Sequence, residues 1–364
     1  MKILNVVGAR PNFMKIAPLM DAYKSYPHIE PLLIHTGQHY DNIMSERFFE
    51  ELGIPQPDVN LQVGSASHAV QTAEIMKAFE PVVQRHKPDV VIVVGDVNST
   101  IACGLVAAKT GVKLAHVEAG LRSFDRTMPE EINRILTDAI SDMLFCTEQS
   151  GVDNLKNEGI SDEKIHLVGN VMIDSLLKHL NKAQKSSILE RLNLQGQKYA
   201  VLTLHRPSNV DDQHIFQDII TALDTMQKEV PIIFPIHPRT KKNLFSSALG
   251  DQAKKMPGLK LLDPLGYLDF LQLLSSAAVV LTDSGGIQEE TAILKIPCLT
   301  LRDNTERPVT VKYGSNHIVG ADTDRILAAY HNVMNEDNLN YQVPPLWDGQ
   351  AAVRIVNILV KPFP

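Results

Sequence analysis

Cysteine is scarce in this chain: Cys103, Cys146 and Cys298 are the only three in 364 residues. They are odd in number, sit among apolar or small neighbours, and show no metal-ligand spacing, so buried reduced thiols are expected and no metal site. A basic excess is lacking too. The 35 Lys and Arg stand against 42 Asp and Glu, a formal net charge of −7, which gives no global positive field for a polyphosphate backbone and argues against nucleic-acid binding. An anionic small molecule stays open, because helix N-termini and a few placed bases bind phosphate locally. No apolar run approaches the roughly 20 residues that cross a bilayer, and residues 1–7 lead into Gly8, Arg10 and Pro11 too soon for a signal-peptide core. The expectation is a cytoplasmic protein with no membrane partner. Low-complexity tracts and residue-level repeats are also missing.

What is present is a rhythm of short β-branched runs, each ending in glycine or a polar residue and followed by a helix-period stretch. That is the pattern of parallel strands joined by crossover helices. Strands are expected over 3–7, 31–35, 90–94, 114–117 and 143–146, with a long helix over about 42–52. After a strand-like piece at 165–170 and a helix over 171–180 the pattern restarts, with strands at 199–204, 232–236, 259–262, 279–282 and 298–301. The length, with 44% hydrophobic residues against 21% charged, fits two cores better than one. The fold class is α/β: two doubly wound, Rossmann-like domains facing a central cleft, over 1–168 and 169–348. A C-terminal helix over 349–364 follows the completed second sheet and is free to cross back to the first domain.

Chemistry-bearing residues collect at the carboxyl ends of these strands. The loop Gly8-Ala9-Arg10-Pro11-Asn12 precedes a helix that carries Lys15, so Arg10 and Lys15 can face a phosphate; the plain alternative is a turn with two solvated bases. Asp283-Ser284-Gly285-Gly286-Ile287-Gln288-Glu289-Glu290 opens backbone amides to an anion at a helix start, with Glu290 placed for ribose hydroxyls; the alternative is a glycine turn with an acidic first turn. Asp96 and Glu118 end adjacent strands, and Glu130 follows in a loop before a helix. Carboxylates so placed can share a site and exchange protons, although Glu130 and Glu131 after Pro129 also read as an ordinary helix N-terminus. His205 and His237 stand at two successive strand ends, as proton-handling groups or as structural histidines bonded to carbonyls.

Taken together these segments resemble the non-hydrolysing UDP-N-acetylglucosamine 2-epimerase family, which has the glycosyltransferase-B fold. The resemblance rests on Gly8-Ala9-Arg10-Pro11 with Lys15, Gly37-Gln38-His39, Gly95-Asp96, His116-Val117-Glu118-Ala119-Gly120-Leu121-Arg122, Pro129-Glu130-Glu131, Gly169-Asn170, His205-Arg206, Asp283 to Glu290, and Thr305-Glu306-Arg307-Pro308. It runs nearly end to end. It implies that Arg10, His237, Ser284, Gly285, Gly286, Glu290 and Arg307 surround UDP, and that Lys15, Asp96, Glu118, Glu130 and His205 surround the sugar as the catalytic set. The implied reaction is cofactor-free interconversion of UDP-GlcNAc and UDP-ManNAc by elimination and re-addition of UDP through a 2-acetamidoglucal, in a homodimer.

Departures bear on the substrate. Ala9 and Asn12 replace residues typical of the first loop, Tyr40 stands where the family often has Arg, and 48–55 and 122–134 look closer to the branch acting on UDP-2,3-diacetamido-2,3-dideoxyglucuronic acid. Other functions compatible with the same fold are a hydrolysing 2-epimerase releasing UDP and free ManNAc, a glycosyltransferase, for which no basic and apolar membrane-facing patch stands out, and a non-catalytic nucleotide-sugar sensor.

Overall fold

The first sheet is built from runs apolar enough to be covered on both faces. The computed structural model describes residues 1–37, 53–336 and 340–361, with Arg10 described by its backbone alone. The helix expected over 42–52, with Gln38, His39 and Tyr40, lies outside the described residues. In chain order the first elements are β1 (Lys2–Val7), α1 (Arg10–Tyr23), β2 (Glu30–His35), β3 (Val59–Asn60), α2 (His68–His86), β4 (Val90–Val94), α3 (Asn98–Lys109), β5 (Lys113–Ala119), α4 (Pro129–Ile140), β6 (Met143–Cys146), α5 (Gln149–Asn157), β7 (Ile165–Leu167) and α6 (Val171–Ala183). The strands form one parallel sheet in the order β3-β2-β1-β4-β5-β6-β7. All five valine and isoleucine residues of β4 are buried at its centre, as a strand with helices on both faces demands.

A second parallel sheet follows, built on β8 (Ala200–Thr203), β9 (Ile232–Pro235), β10 (Leu259–Leu262), β11 (Val279–Thr282), β12 (Cys298–Thr300) and β13 (Asn316–Ile318), in the order β10-β9-β8-β11-β12-β13. Its helices are α7 (Ile188–Arg191), α8 (Pro207–Val210), α9 (Gln213–Met226), α10 (Pro238–Phe245), α11 (Leu249–Lys254), α12 (Tyr267–Ser275), α13 (Gly285–Leu294), α14 (Pro308–Lys312) and α15 (Thr323–Asn335). The two sheets share one topology. Each reverses its strand order once, at β1/β4 in the first and at β8/β11 in the second. At such a switch point the loops leaving neighbouring strands run in opposite directions and open a crevice at the carboxyl edge.

The chain divides into two units, Met1–Lys178 with Pro345–Pro364, and His179–Pro344. The first change of unit therefore falls ten residues beyond the position near Gly169 read from the sequence, and the return begins at Pro345, not 349. The reason lies in α6, whose first half is bonded into the first unit: Ser175 Oγ donates to the Met14 carbonyl at 2.5 Å, and the Asp174 carboxylate accepts from Ala351 N at 3.2 Å and Ala352 N at 2.7 Å. Those two amides open α16 (Ala351–Leu359), so Asp174 caps the C-terminal helix. Trp347, buried just ahead of α16, donates its indole N–H to the Thr147 carbonyl at 3.0 Å. β3 and β13 were not legible beforehand, because segments of two and three residues carry no periodicity.

Burial pushes the Asp174 carboxyl up to about 6, against the pull of the Ala352 and Ala351 amides and with some help from Asp348. A carboxyl raised in the folded state favours folding while protonated and loses that contribution as pH rises toward 6. The stability of the wild type relative to Asp174→Asn should therefore fall between about pH 4 and 6, by about 1.4 kcal/mol per pH unit. Urea unfolding of both proteins across that window checks it; a pH-independent difference would remove Asp174 from the account.

Candidate active site

In the first unit the site starts from Asn12. Its Oδ1 accepts from Gly8 N at 3.1 Å and Ala9 N at 2.9 Å, and its Nδ2 donates to the Val94 carbonyl at 3.0 Å. One side chain thereby ties the end of β1 to the end of β4 and sets where α1 begins. Further along α1, buried Lys15 forms an ion pair with buried Glu118. Glu118 has a left-handed backbone, φ 74°, at the point where the β5/β6 register shifts between Val117 and Ala119. That local bulge turns the carboxylate toward Lys15. Beneath the pair lies Gly95, φ 71°, where a Cβ would stand 3.2 Å from Lys15 Nζ and 3.9 Å from Glu118 Oε2.

Asp96, next in the chain, binds Arg134 Nη2 through Oδ2 at 2.7 Å, and Asn133 Nδ2 donates to its carbonyl at 2.9 Å. Arg134 also lies 3.1 Å from Glu131 Oε2. Glu131 is spent on structure: it accepts from Ser123 N, Ser123 Oγ and Phe124 N at 2.9–3.0 Å. Glu130 sits in the first turn of α4, not in a loop before it, and is exposed, with no hydrogen bond or ion pair among the described residues. The structure thus joins Lys15 to Glu118 directly, places Asp96 beside them through Gly95, and leaves Glu130 without a contact to the set.

The second unit builds its site at the β8/β11 switch. Fully buried Asp283 accepts from His205 N at 3.0 Å and Arg206 N at 2.9 Å and binds His205 Nδ1 at 2.9 Å. Burial alone would raise its carboxyl, but the His205 pair and these amides outweigh that and hold it below the usual range. The ionised partner commits Nδ1–H, which fixes the tautomer and leaves Nε2 of half-exposed His205 for an external group. His237 caps α10, its Nδ1 accepting from Arg239 N at 3.3 Å, and its ring lies 6.2 Å from that of His205. Burial, then the charges of His205 and Arg239, lower its pKa, so it stays neutral.

Ser284 stands at the N-cap position of α13 with no side-chain bond to the first turn, and Gly285 opens the helix. A Cβ on Gly285 would fall 2.5 Å from Arg307 Nη1, so only glycine admits the guanidinium against the helix start. Arg307 pairs with Glu289 through Nε and reaches to within 3.6 Å of Glu306. Glu306, fully buried, takes Arg302 at 2.9 Å and Arg206 at 3.6 Å. Burial acts against it, yet these three arginines keep its carboxyl far below the ordinary range. Glu290, also on α13, adjoins Tyr267, whose phenol is pushed well up by burial first and by the Glu290 charge second. Around Gly286 a Cβ would meet nothing within 4 Å. A helix N-terminus with three guanidinium groups nearby, open at one glycine, is suited to an anion.

The family model described as UDP-N-acetylglucosamine 2-epimerase matches residues 21–360. This chain belongs to that family. Membership makes it an isomerase, and the two Rossmann-like α/β units are the glycosyltransferase-B type of construction. Among relatives, the Methanococcus maripaludis protein named UDP-N-acetylglucosamine 2-epimerase homolog is 47% identical over 363 residues, covering 99% of both chains. The crystal structure of Methanocaldococcus jannaschii UDP-GlcNAc 2-epimerase in complex with UDP-GlcNAc and UDP matches with TM-score 0.91 at 44% identity over 99% of both chains. The Pseudomonas aeruginosa UDP-2,3-diacetamido-2,3-dideoxy-D-glucuronate 2-epimerase is 42% identical over 99% of this chain and 100% of its own.

Two groups of the epimerase-family site escaped the reading of the sequence. The Asp283–His205 tether joins residues that the motifs named separately, and the contacts of Glu306 with Arg206 and of Arg307 with Glu289 join one motif to two others that no spacing rule pairs with it. Asn12 was visible as part of a loop, but its bond to Val94 crosses 82 positions.

Proposed function

We propose that this chain interconverts UDP-GlcNAc and UDP-ManNAc by eliminating and re-adding UDP. The observation that carries this reading is the anion-ready start of α13, with Arg307 packed on Gly285, in a member of a family whose M. jannaschii relative was solved with UDP-GlcNAc and UDP. The C2 hydrogen of the sugar is not acidic, so its removal requires the C1–O bond to break in step. Charge then develops on the departing diphosphate, where fixed amides and guanidinium groups stabilise it most. Ser284, Gly285, Gly286 and Arg307 supply that in the second unit, with Glu290 and His237 at the rest of UDP. Inversion serves both faces of C2 and so needs at least two proton-handling groups. For that work the first unit offers Asp96 and Glu118 with Lys15, and the second offers His205 tethered to Asp283. No cofactor enters, since the proton and the leaving group both return.

The P. aeruginosa relative supports a second reading, the same chemistry on UDP-2,3-diacetamido-2,3-dideoxy-D-glucuronate. Proton NMR of the enzyme with each UDP-sugar in deuterated water separates them. Deuterium at C2 together with the UDP-linked manno epimer is expected for UDP-GlcNAc. Exchange on the diacetamido sugar alone would reassign the substrate, and free ManNAc with UDP would mean a hydrolysing enzyme.

Asp96→Asn and Arg307→Ala should fail in opposite ways. The first, nearly isosteric and part-exposed, loses turnover while UDP affinity stays within a few fold. The second loses UDP affinity by about tenfold or more, as a charge-assisted contact worth about 1.5–3 kcal/mol predicts. Calorimetry with UDP reads both, and similar UDP affinity in the two variants would defeat the division of labour.

We also propose a homodimer. α4 is amphipathic the wrong way round for a lone chain: Glu131, Arg134 and Asp138 face inward, whereas Ile132 and Leu136, 45% and 49% exposed, share the outward face. Apolar residues one turn apart on an outward face suit burial against a second copy. Ile132→Asp should shift the mass in light scattering from two chains to one; an unchanged mass would place any contact elsewhere.

A further inference from the structure

We propose that His116, which touches neither charge of the Lys15–Glu118 pair, is the positioning residue that holds Asp96 and Glu118 in register for the reaction. The inference rests on the epimerase reading above. His116 lies on β5 two residues before Glu118 and is fully buried. Its Nε2 is 2.8 Å from the Gly95 carbonyl and its Nδ1 2.6 Å from Asp138 Oδ1. A carbonyl can only accept, so Nε2 carries the hydrogen whatever the state of the His116–Asp138 pair.

The consequence is geometric. Gly95 N donates to the Val117 carbonyl at 3.1 Å, and His116 takes the Gly95 carbonyl, so β5 holds both polar groups of this glycine. The peptide between Gly95 and Asp96 then cannot swing, and its plane sets the direction in which Asp96 leaves the strand. The same clamp keeps the Gly95 Cα beneath Lys15 and Glu118. On the other side of Glu118, Asp138 Oδ2 accepts from Gly120 N at 3.1 Å and binds Arg122 Nη1 at 2.7 Å. One buried His–Asp unit therefore fixes the peptide that leads into Asp96 and the Ala119–Gly120 peptide one residue beyond Glu118. A displacement of about 1 Å at a reacting group can cost on the order of 10²-fold in rate, so a clamp of this kind would show in kcat.

Two substitutions separate the clamp from mere packing. Asn at this position can reach Asp138 from where Nδ1 stands but offers nothing at Nε2; Gln offers a donor near Nε2 but nothing at Nδ1. Steady-state epimerisation and C2 deuterium exchange would be measured on the wild type, His116→Asn and His116→Gln, with thermal midpoints for all three. The expected result is a kcat loss of about 10²-fold in His116→Asn with KM within about threefold, and recovery to within about tenfold of wild type in His116→Gln. Equal kcat losses in the two variants, losses that follow the thermal midpoints, or an effect confined to KM would each overturn the proposal. If the Asn variant does not fold, Asp138→Asn takes its place, since it replaces the charge-assisted bond to His116 with a neutral one yet keeps an oxygen for Gly120 N. Its expected kcat loss is about tenfold at unchanged KM, and full kcat there overturns the proposal. Wild-type exchange is read first: its absence on both UDP-sugars overturns the epimerase reading together with this inference, whereas wild-type exchange with indifferent variants overturns the inference alone.

Discussion

Burying Glu118 beside Lys15 is the demand to which the rest of the first unit answers. Two charges taken out of water cost several kcal/mol each, and their attraction offsets this only when the geometry is tight and neighbouring dipoles are arranged around them. The bulge that gives Glu118 its left-handed backbone, the glycine beneath the pair, and the Asn12 side chain that fixes where α1 starts all act on the relative position of these two groups. None of the three would be favoured by β-sheet propensity alone. Of these, the left-handed backbone of Glu118 is local strain sustained by surrounding contacts, and such strain concentrates at reactive sites.

The second unit meets a different demand with related means. An anion at a helix N-terminus needs positive charge nearby, but guanidinium groups left unpaired in a half-buried site would repel one another. Glu289 and Glu306 hold Arg206, Arg302 and Arg307 in place with fewer negative charges than positive ones. Glu306 is strongly acidic because three cations surround it, so the cluster stays ionised through the neutral range.

Much of this was legible in the sequence because parallel strands buried on both faces are continuous apolar runs, and because the polar residue after each run marks a carboxyl edge. Val90–Val94 before Gly95-Asp96, and Val279–Thr282 before Asp283-Ser284, show both signals at once. The pairings were not legible. That Asp283 holds His205, or that Asp138 holds His116, depends on strand order, and strand order is absent from one-dimensional spacing. Glu130 and Glu131 illustrate the limit at a single dipeptide. Both fit an acidic helix start, yet one is spent on the Ser123–Phe124 amides and the other is exposed. The change of unit was misplaced for a similar reason, since α6 is one uninterrupted helix whose first half is claimed by Met14 and by the amides of α16.

The two units also share a rule about polar side chains at strand ends. His205 has one ring nitrogen committed to a buried carboxylate, and Glu118 has its carboxylate committed to a buried ammonium. In each case the partner removes rotational freedom, while the backbone at a strand end sets the direction. The proposed elimination, which runs in either direction, gains from this. The group that takes the proton in one direction returns it in the other, so a side chain free to relax between the two steps would have to be reorganised twice in every turnover. Fixing it through the fold makes that cost part of folding and not part of the barrier.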